Sequence, residues 1–183
     1  MRIGICGTSC AGKTTLARAL SKRLNLPLIN EVAEDFKEFR NTIPTQFNIA
    51  SGQIGAEINM VAAHGGFVSD RTVLDNLAYS SFHYSHLQPT KFDTTLFDFI
   101  GNMVDDYLTT RPYDLIVFAD EYFDLEDDGN RSMSLEEQFD VYYLIDDIAN
   151  YVRLRFNIPI VYVSGPLDER IQKIINSMQV NSR

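Results

Sequence analysis

The residues Gly7-Thr8-Ser9-Cys10-Ala11-Gly12-Lys13-Thr14 fit the pattern G-x-x-x-x-G-K-[ST] at every fixed position. The chemistry this spacing serves is the grip on a polyphosphate. Gly7 and Gly12 permit a tight turn that brings backbone close to a ligand. The loop amides then point inward at a β-phosphate, and the following helix adds partial positive charge from its N-terminus. Lys13 can reach between β- and γ-phosphates, and the Thr14 hydroxyl can hold Mg²⁺.

Phosphoryl transfer asks further for positioning, charge neutralisation and a place for the acceptor's proton. Four apolar segments each end in suitable groups: the phosphate loop itself, Glu31, Asp70-Arg71 and Asp120-Glu121. Asp70 suits the Mg²⁺ shell. Arg71 can hold an acceptor oxygen or phosphate bidentately. Glu31 can accept the proton of an acceptor hydroxyl. Simpler roles stand beside these. Asp70 can cap the helix that begins near Val73, and Arg71 can form a surface ion pair. His64, His83 and His86 have no metal-ligand spacing and read as structural or exposed.

The elements that must position these groups alternate. Arg2 to Cys6 reads as a strand running into the loop, and Thr14 to Leu24 as a helix with Leu16, Ala19, Leu20 and Leu24 on one face. Pro27 to Asn30 is the second strand, and Val32 to Arg40 a charged helix. Pro44 to about Ala63 is helical and ends at Gly65-Gly66. Phe67 to Ser69 is the third strand, delivering Asp70-Arg71. A helix runs from Val73 to about Tyr84, and Ser85 to Thr90 is a loop. Phe92, Leu96, Phe99, Ile100, Met103, Val104, Tyr107 and Leu108 fall at helical spacing and are expected in the core. Leu115 to Phe118 forms a buried parallel-type strand. The stretch Asp120 to Met133 is polar and irregular. Leu135, Phe139, Tyr142, Ile145, Ala149, Val152 and Phe156 mark a long helix. Pro159 to Val163 is the fifth strand, and Leu167 to about Met178 the last helix. Strands alternating with helices predict an α/β fold, a parallel sheet covered on both faces whose ligands bind at the carboxyl ends of the strands.

The length of 183 residues favours one domain with a proper core. No apolar run is long enough to cross a bilayer, no signal peptide is expected, and no repeat or linker stands out. Cys6 and Cys10 both sit at the phosphate loop, where a disulfide would distort the turn, so a reducing cytoplasmic setting is expected. The net charge of −9 is unevenly placed. Met1 to Asn30 carry five basic residues and no acidic one, which suits a polyphosphate. Asp120 to Asp147 carry eleven acids against Arg131 alone, a run that reads first as a solvated surface and that repels nucleic acid unless it faces away.

Three stretches resemble the P-loop nucleoside and nucleotide kinases: the phosphate loop, Asp70-Arg71-Thr72-Val73-Leu74-Asp75-Asn76-Leu77-Ala78-Tyr79, and Ser164-Gly165-Pro166-Leu167-Asp168-Glu169-Arg170. In thymidylate-kinase-like and deoxynucleoside-kinase-like members, an acidic-Arg pair after the third strand precedes a helix, as here. Glu31 resembles the acidic residue those nucleoside kinases place after the second strand. Asp127-Asp128-Gly129-Asn130-Arg131, followed by a helix and then Ser-Gly-x-x-x-Glu-Arg, resembles AAA-type kinase-like ATPases that include ribosylnicotinamide kinase domains. The resemblance covers nearly the whole chain. It implies a P-loop NTPase three-layer sandwich with a five-stranded parallel sheet flanked by helices, one domain spanning 1–183, and a lid at about 120–133. It implies ATP and Mg²⁺ as cofactors, a homodimer paired through the face from Phe92 to Leu108, and Lys13, Glu31, Asp70, Arg71 and Arg131 as catalytic. Gly7, Thr8, Ser9, Cys10, Ala11, Gly12, Lys13, Thr14, Thr15 and Arg170 would surround the nucleotide, and Thr14 and Asp70 would hold the metal. One departure concerns the lid. Nucleotide kinases often bring several arginines there, whereas here only Arg131 lies in it, and Arg40 or Arg71 would have to supply a second positive partner for a phosphorylated acceptor.

The leading expectation is an ATP-dependent kinase for a small-molecule nucleoside or nucleotide. A variant is a kinase of a hydroxylated base within DNA, against which the acidic surface counts. A non-kinase P-loop ATPase module is the other class; it ordinarily needs partner-supplied arginines and a ring. A guanine-specific Asn-Lys-x-Asp motif is absent from the sequence, which argues against a GTPase switch.

Overall fold

The computed structural model describes residues 1–39, 41–121 and 134–180. In chain order the elements are β1 Arg2–Cys6, α1 Lys13–Leu24, β2 Leu28–Ile29, a 3₁₀ segment Val32–Phe39, α2 Ile43–His64, β3 Phe67–Asp70, α3 Val73–Ser85, α4 Lys91–Thr109, β4 Leu115–Ala119, α5 Leu135–Phe156, β5 Ile160–Val163 and α6 Leu167–Val180. Serine and threonine start most of these helices. Thr72, Thr90 and Ser134 each close a capping box with the carboxylate three residues on, Asp75, Asp93 and Glu137. Thr42 caps α2 without such a partner, with Pro44 in its first turn.

All five strands are parallel, in the order β2-β3-β1-β4-β5. Ile5 of the central β1 lies opposite both Asp70 and Val117, so the carboxyl ends of β1, β3 and β4 finish at one level. Alternation along the strands divides the core in two. Ile3 and Ile5 with Leu115, Val117 and Ala119 face α1 and α6, where Leu16, Ala17, Leu20 and Ile174 meet them. Cys6, Phe67, Ile116 and Phe118 face the other way, against α2 to α5. The sheet is thus covered on both faces, as the alternation of elements predicts.

Two expectations are corrected here. The segment after β2 is 3₁₀ rather than α-helical, and its backbone leaves the helical region at Phe36, with φ −122° and ψ 40°. The Glu34 amide bonds the Glu31 carbonyl three residues back, which winds the chain too tightly for an α-helix. Arg40 lies outside the described residues. In α4, Ile100, Val104 and Leu108 are buried, but Phe92 and Phe99 are 64% and 60% exposed. Both sit on the side of the helix turned away from α2 and α3, so helical spacing alone overstates the core. Cys6 and Cys10 are both thiols. His83 sits half-buried on α3, its pKa pushed down to about 4 by burial and by the neighbouring His86. Among the described residues no helix is long and apolar enough to cross a membrane.

Candidate active site

The phosphate loop joins β1 to α1 through three left-handed residues: Gly7 at φ +141°, Cys10 at +63° and Gly12 at +71°. Gly7 is needed twice over. Its φ is one that side chains resist, and a Cβ there would lie 2.8 Å from the Ala119 carbonyl at the end of β4. Gly12 stands at the N-cap of α1 and, having no side chain, caps none of the first-turn amides itself. A helix N-terminus left in that state is built to receive an anion. Thr14 and Thr15 are exposed on that first turn.

Lys13 folds back over the loop and donates to the Thr8 carbonyl. It is only 5% exposed. Burial, then the charge of Arg71, pull its pKa down to about 8, against the opposing pull of Asp75, Glu31 and Asp70. The charges that act on the loop lysine belong to carboxylates at the ends of β2 and β3 and in the first turn of α3.

β3 ends at Asp70, and the Arg71 amide extends the ladder by bonding the Ile5 carbonyl at 3.0 Å. Arg71 then takes φ +83°, a left-handed conformation that strains a side-chain-bearing residue. That turn throws its guanidinium sideways. Nε donates to Glu31 Oε1 at 2.7 Å, Nη1 reaches Asp75 Oδ1 at 3.4 Å, and the group lies over the Tyr79 ring, 5.2 Å from its centre. Arg71 is 9% exposed, which excludes a surface ion pair. Asp70 does not cap α3 either, because Thr72 does. Instead Asp70 Oδ1 is buried without a hydrogen-bond partner among the described residues.

Asp75 is the member of this cluster that the sequence reading does not single out. One carboxylate oxygen accepts from the Thr72 amide and hydroxyl, each at 2.9 Å, completing the capping box. The other accepts from the Gly7 amide at 3.1 Å and faces Arg71. Burial raises its pKa, while Arg71, Lys13 and the two amides act to lower it. The spacing Thr72-x-x-Asp75 was a visible sign of a cap. That the same side chain ties the phosphate loop to Arg71 was not.

Arg170 stands outside the loop, 3% exposed. It donates to the Ala11 carbonyl at 2.9 Å, to the Gly165 carbonyl at 2.6 Å and to Glu121 at 2.8 Å. Asp120 accepts from the Tyr142 hydroxyl at 2.9 Å. The pair at the end of β4 therefore braces neighbouring elements. Ser9 and Tyr79 pair their hydroxyls at 3.2 Å beside the loop. Arg131, with the rest of 122–133, lies outside the described residues.

Residues 2–170 match a protein family described as an AAA domain. The chain belongs to that family. This AAA-domain chain also has the fold of solved kinases. A deoxyadenosine kinase from M. mycoides with bound dATP superimposes with a TM-score of 0.73 at 19% identity, covering 98% of this chain and 100% of that one. A NadR protein in complex with NAD and AMP-PNP gives 0.72 at 17% identity, covering 98% of this chain and 49% of that one. A shikimate kinase from Acinetobacter baumannii in complex with shikimate gives 0.56 at 15% identity, covering 98% and 93%. No curated protein matches the sequence. The sheet, its flanking helices and the loop thus form the P-loop kinase fold that the motifs predict.

Proposed function

We propose that this AAA-domain protein transfers the γ-phosphate of ATP to a hydroxyl of a nucleoside. The observation that carries the reading is the Arg71 guanidinium held between Glu31 and Asp75, the latter also holding the Gly7 amide of the phosphate loop. A phosphorylated acceptor needs uncommitted positive charge. Here Arg71 already answers two carboxylates, so a neutral sugar hydroxyl fits the site better than a second phosphate. A nucleotide as donor is supported by the relatives above, one holding dATP and one AMP-PNP.

In this reading the loop amides and Lys13 hold the β- and γ-phosphates, and the Lys13 ammonium neutralises charge that builds on the transferring group. Thr14 and Asp70 are the side chains that would hold Mg²⁺. The buried, unpartnered Asp70 Oδ1 is a hard oxygen donor of the kind that cation takes. When bound, the metal supplies further neutralisation at the phosphate oxygens. Glu31 accepts the proton of the acceptor hydroxyl, and Arg71 fixes the orientation of that carboxylate through its 2.7 Å bond. Arg170 keeps the loop in register from behind, and Arg131 is assigned to the transferring phosphate.

The test is to supply ATP labelled in its γ-phosphate, with Mg²⁺, against a panel of nucleosides and nucleoside monophosphates. Labelled nucleoside monophosphate is expected, with Arg71→Ala forming less of it at low acceptor concentration. Release of inorganic phosphate with no labelled acceptor would overturn the kinase reading, and label on monophosphates alone would overturn the choice of a nucleoside.

A further inference from the structure

We propose that Glu57 is a positioning residue for Arg71: a buried carboxylate whose partners Gln53 and Tyr113 grip both sides of the strained turn that presents the guanidinium. The inference rests on the reading of Arg71 as the acceptor-side group.

Glu57 lies on α2 with no exposed surface, and no step of the proposed transfer uses it. Its Oε1 accepts from Gln53 Nε2 at 2.7 Å and from the Tyr113 hydroxyl at 2.8 Å; its Oε2 accepts from the Tyr107 hydroxyl at 2.8 Å. Two of these partners reach onward to the same place. Gln53 Nε2 donates to Ser69 Oγ at 2.8 Å and reaches the Arg71 carbonyl at 3.4 Å. The Tyr113 hydroxyl accepts the Val73 amide at 3.2 Å. Glu57 therefore stands one side chain away from residues 69, 71 and 73, the residues that bracket the left-handed Arg71.

The room for this arrangement is made in β1. A Cβ on Gly4 would lie 3.0 Å from the Tyr113 ring and 2.5 Å from the Thr72 methyl. With hydrogen there instead, Tyr113 slides beneath the central strand to the start of α3. Phe67 meets the same ring edge-on, with centres 6.3 Å apart. An apolar side chain would fill the place of Glu57 with less desolvation, so what the carboxylate adds is the direction it imposes on its donors. An arginine at positive φ relaxes toward ordinary backbone angles unless its surroundings over-determine it. Here the over-determination comes from Gln53 on one side and Tyr113 on the other. Tyr107, on α4, bonds the carboxylate but does not touch the turn, and Arg2 acts on Tyr107 from beyond it. Burial raises Glu57 to about pKa 7 despite its three donors.

The test compares Glu57→Gln, Tyr113→Phe and Tyr107→Phe by thermal melting, by steady-state kinetics with ATP and acceptor varied separately, and by the Arg71 Nε–H resonance in nitrogen-15 spectra. Expected are losses on the order of tenfold or more in kcat/KM for the acceptor in Glu57→Gln and Tyr113→Phe, with KM for ATP within about twofold of wild type. Tyr107→Phe should lower the melting temperature and leave both kinetic constants within about twofold. If all three variants melt lower with unchanged acceptor kinetics, Glu57 is merely structural and the inference fails. If Glu57→Gln does not fold, Tyr113→Phe keeps the ring and decides alone. If the wild-type protein phosphorylates no acceptor, the proposed function falls, and the resonance still decides this inference. A displaced or broadened Arg71 signal in Tyr113→Phe but not in Tyr107→Phe upholds it, and an unchanged signal overturns it.

Discussion

Replacing Lys13 with methionine keeps the length of the side chain and removes its charge. Without nucleotide, that charge sits in the protein at a loss: burial and Arg71 bring its pKa from the ordinary 10.5 to about 8. The gap corresponds to about 3 kcal/mol against the charged form at neutral pH. The bond to the Thr8 carbonyl opposes this, and a buried carbonyl left short of a donor costs about 1–3 kcal/mol. The variant is therefore expected to match wild type or exceed it by up to about 2 kcal/mol, while losing most phosphoryl transfer. The pH dependence separates the two contributions. As pH rises from about 8 to 10.5, folded wild type has released a proton that the unfolded chain still holds, so its stability climbs by up to about 3 kcal/mol. Lys13→Met lacks that climb. Urea unfolding of both proteins at about pH 7.5 and about pH 10, with and without ATP and Mg²⁺, reads all of this, and nucleotide should stabilise wild type alone. A variant well below wild type at both values, running parallel to it, would show that the lysine's charge is already compensated and would refute the reasoning.

The remaining expectations address separate parts of the site. Asp70→Asn should raise the Mg²⁺ concentration needed for half-maximal activity, and Arg71→Ala should raise KM for the acceptor; varying ATP, Mg²⁺ and acceptor in turn checks this, and equal small effects on all three would contradict it. Glu57 keeps its proton in the folded state between its ordinary 4.5 and about 7, so the stability it contributes is fully present below 4.5 and is lost as pH rises to about 7. Glu57→Gln should therefore gain on wild type by up to about 3 kcal/mol across that window in urea unfolding, whereas a constant difference would mean the carboxyl titrates normally. Arg131→Ala should lower turnover on the order of 10³-fold with ATP binding nearly kept, measured side by side; unchanged turnover would remove Arg131 from the mechanism.

By itself the sequence determined the phosphate loop, the five strands, the helices between them and the two polar strand ends Glu31 and Asp70-Arg71. Those features are local. A glycine pattern and a period of two or of 3.6 each fall within one short window. The tertiary structure alone decided the strand order and the company each polar group keeps. Glu31 meets Arg71 across 40 residues, Asp75 meets Gly7 across 68, and Glu57 meets Tyr113 across 56. It also decided that Phe92 and Phe99 face outward although their spacing is that of a core, and that the chain after β2 winds as 3₁₀. The reason is one of range. Periodicity records which face a residue occupies on its own element, but the partner on that face is chosen by how the elements stack. In this protein the stacking sets three acids around one arginine and one lysine.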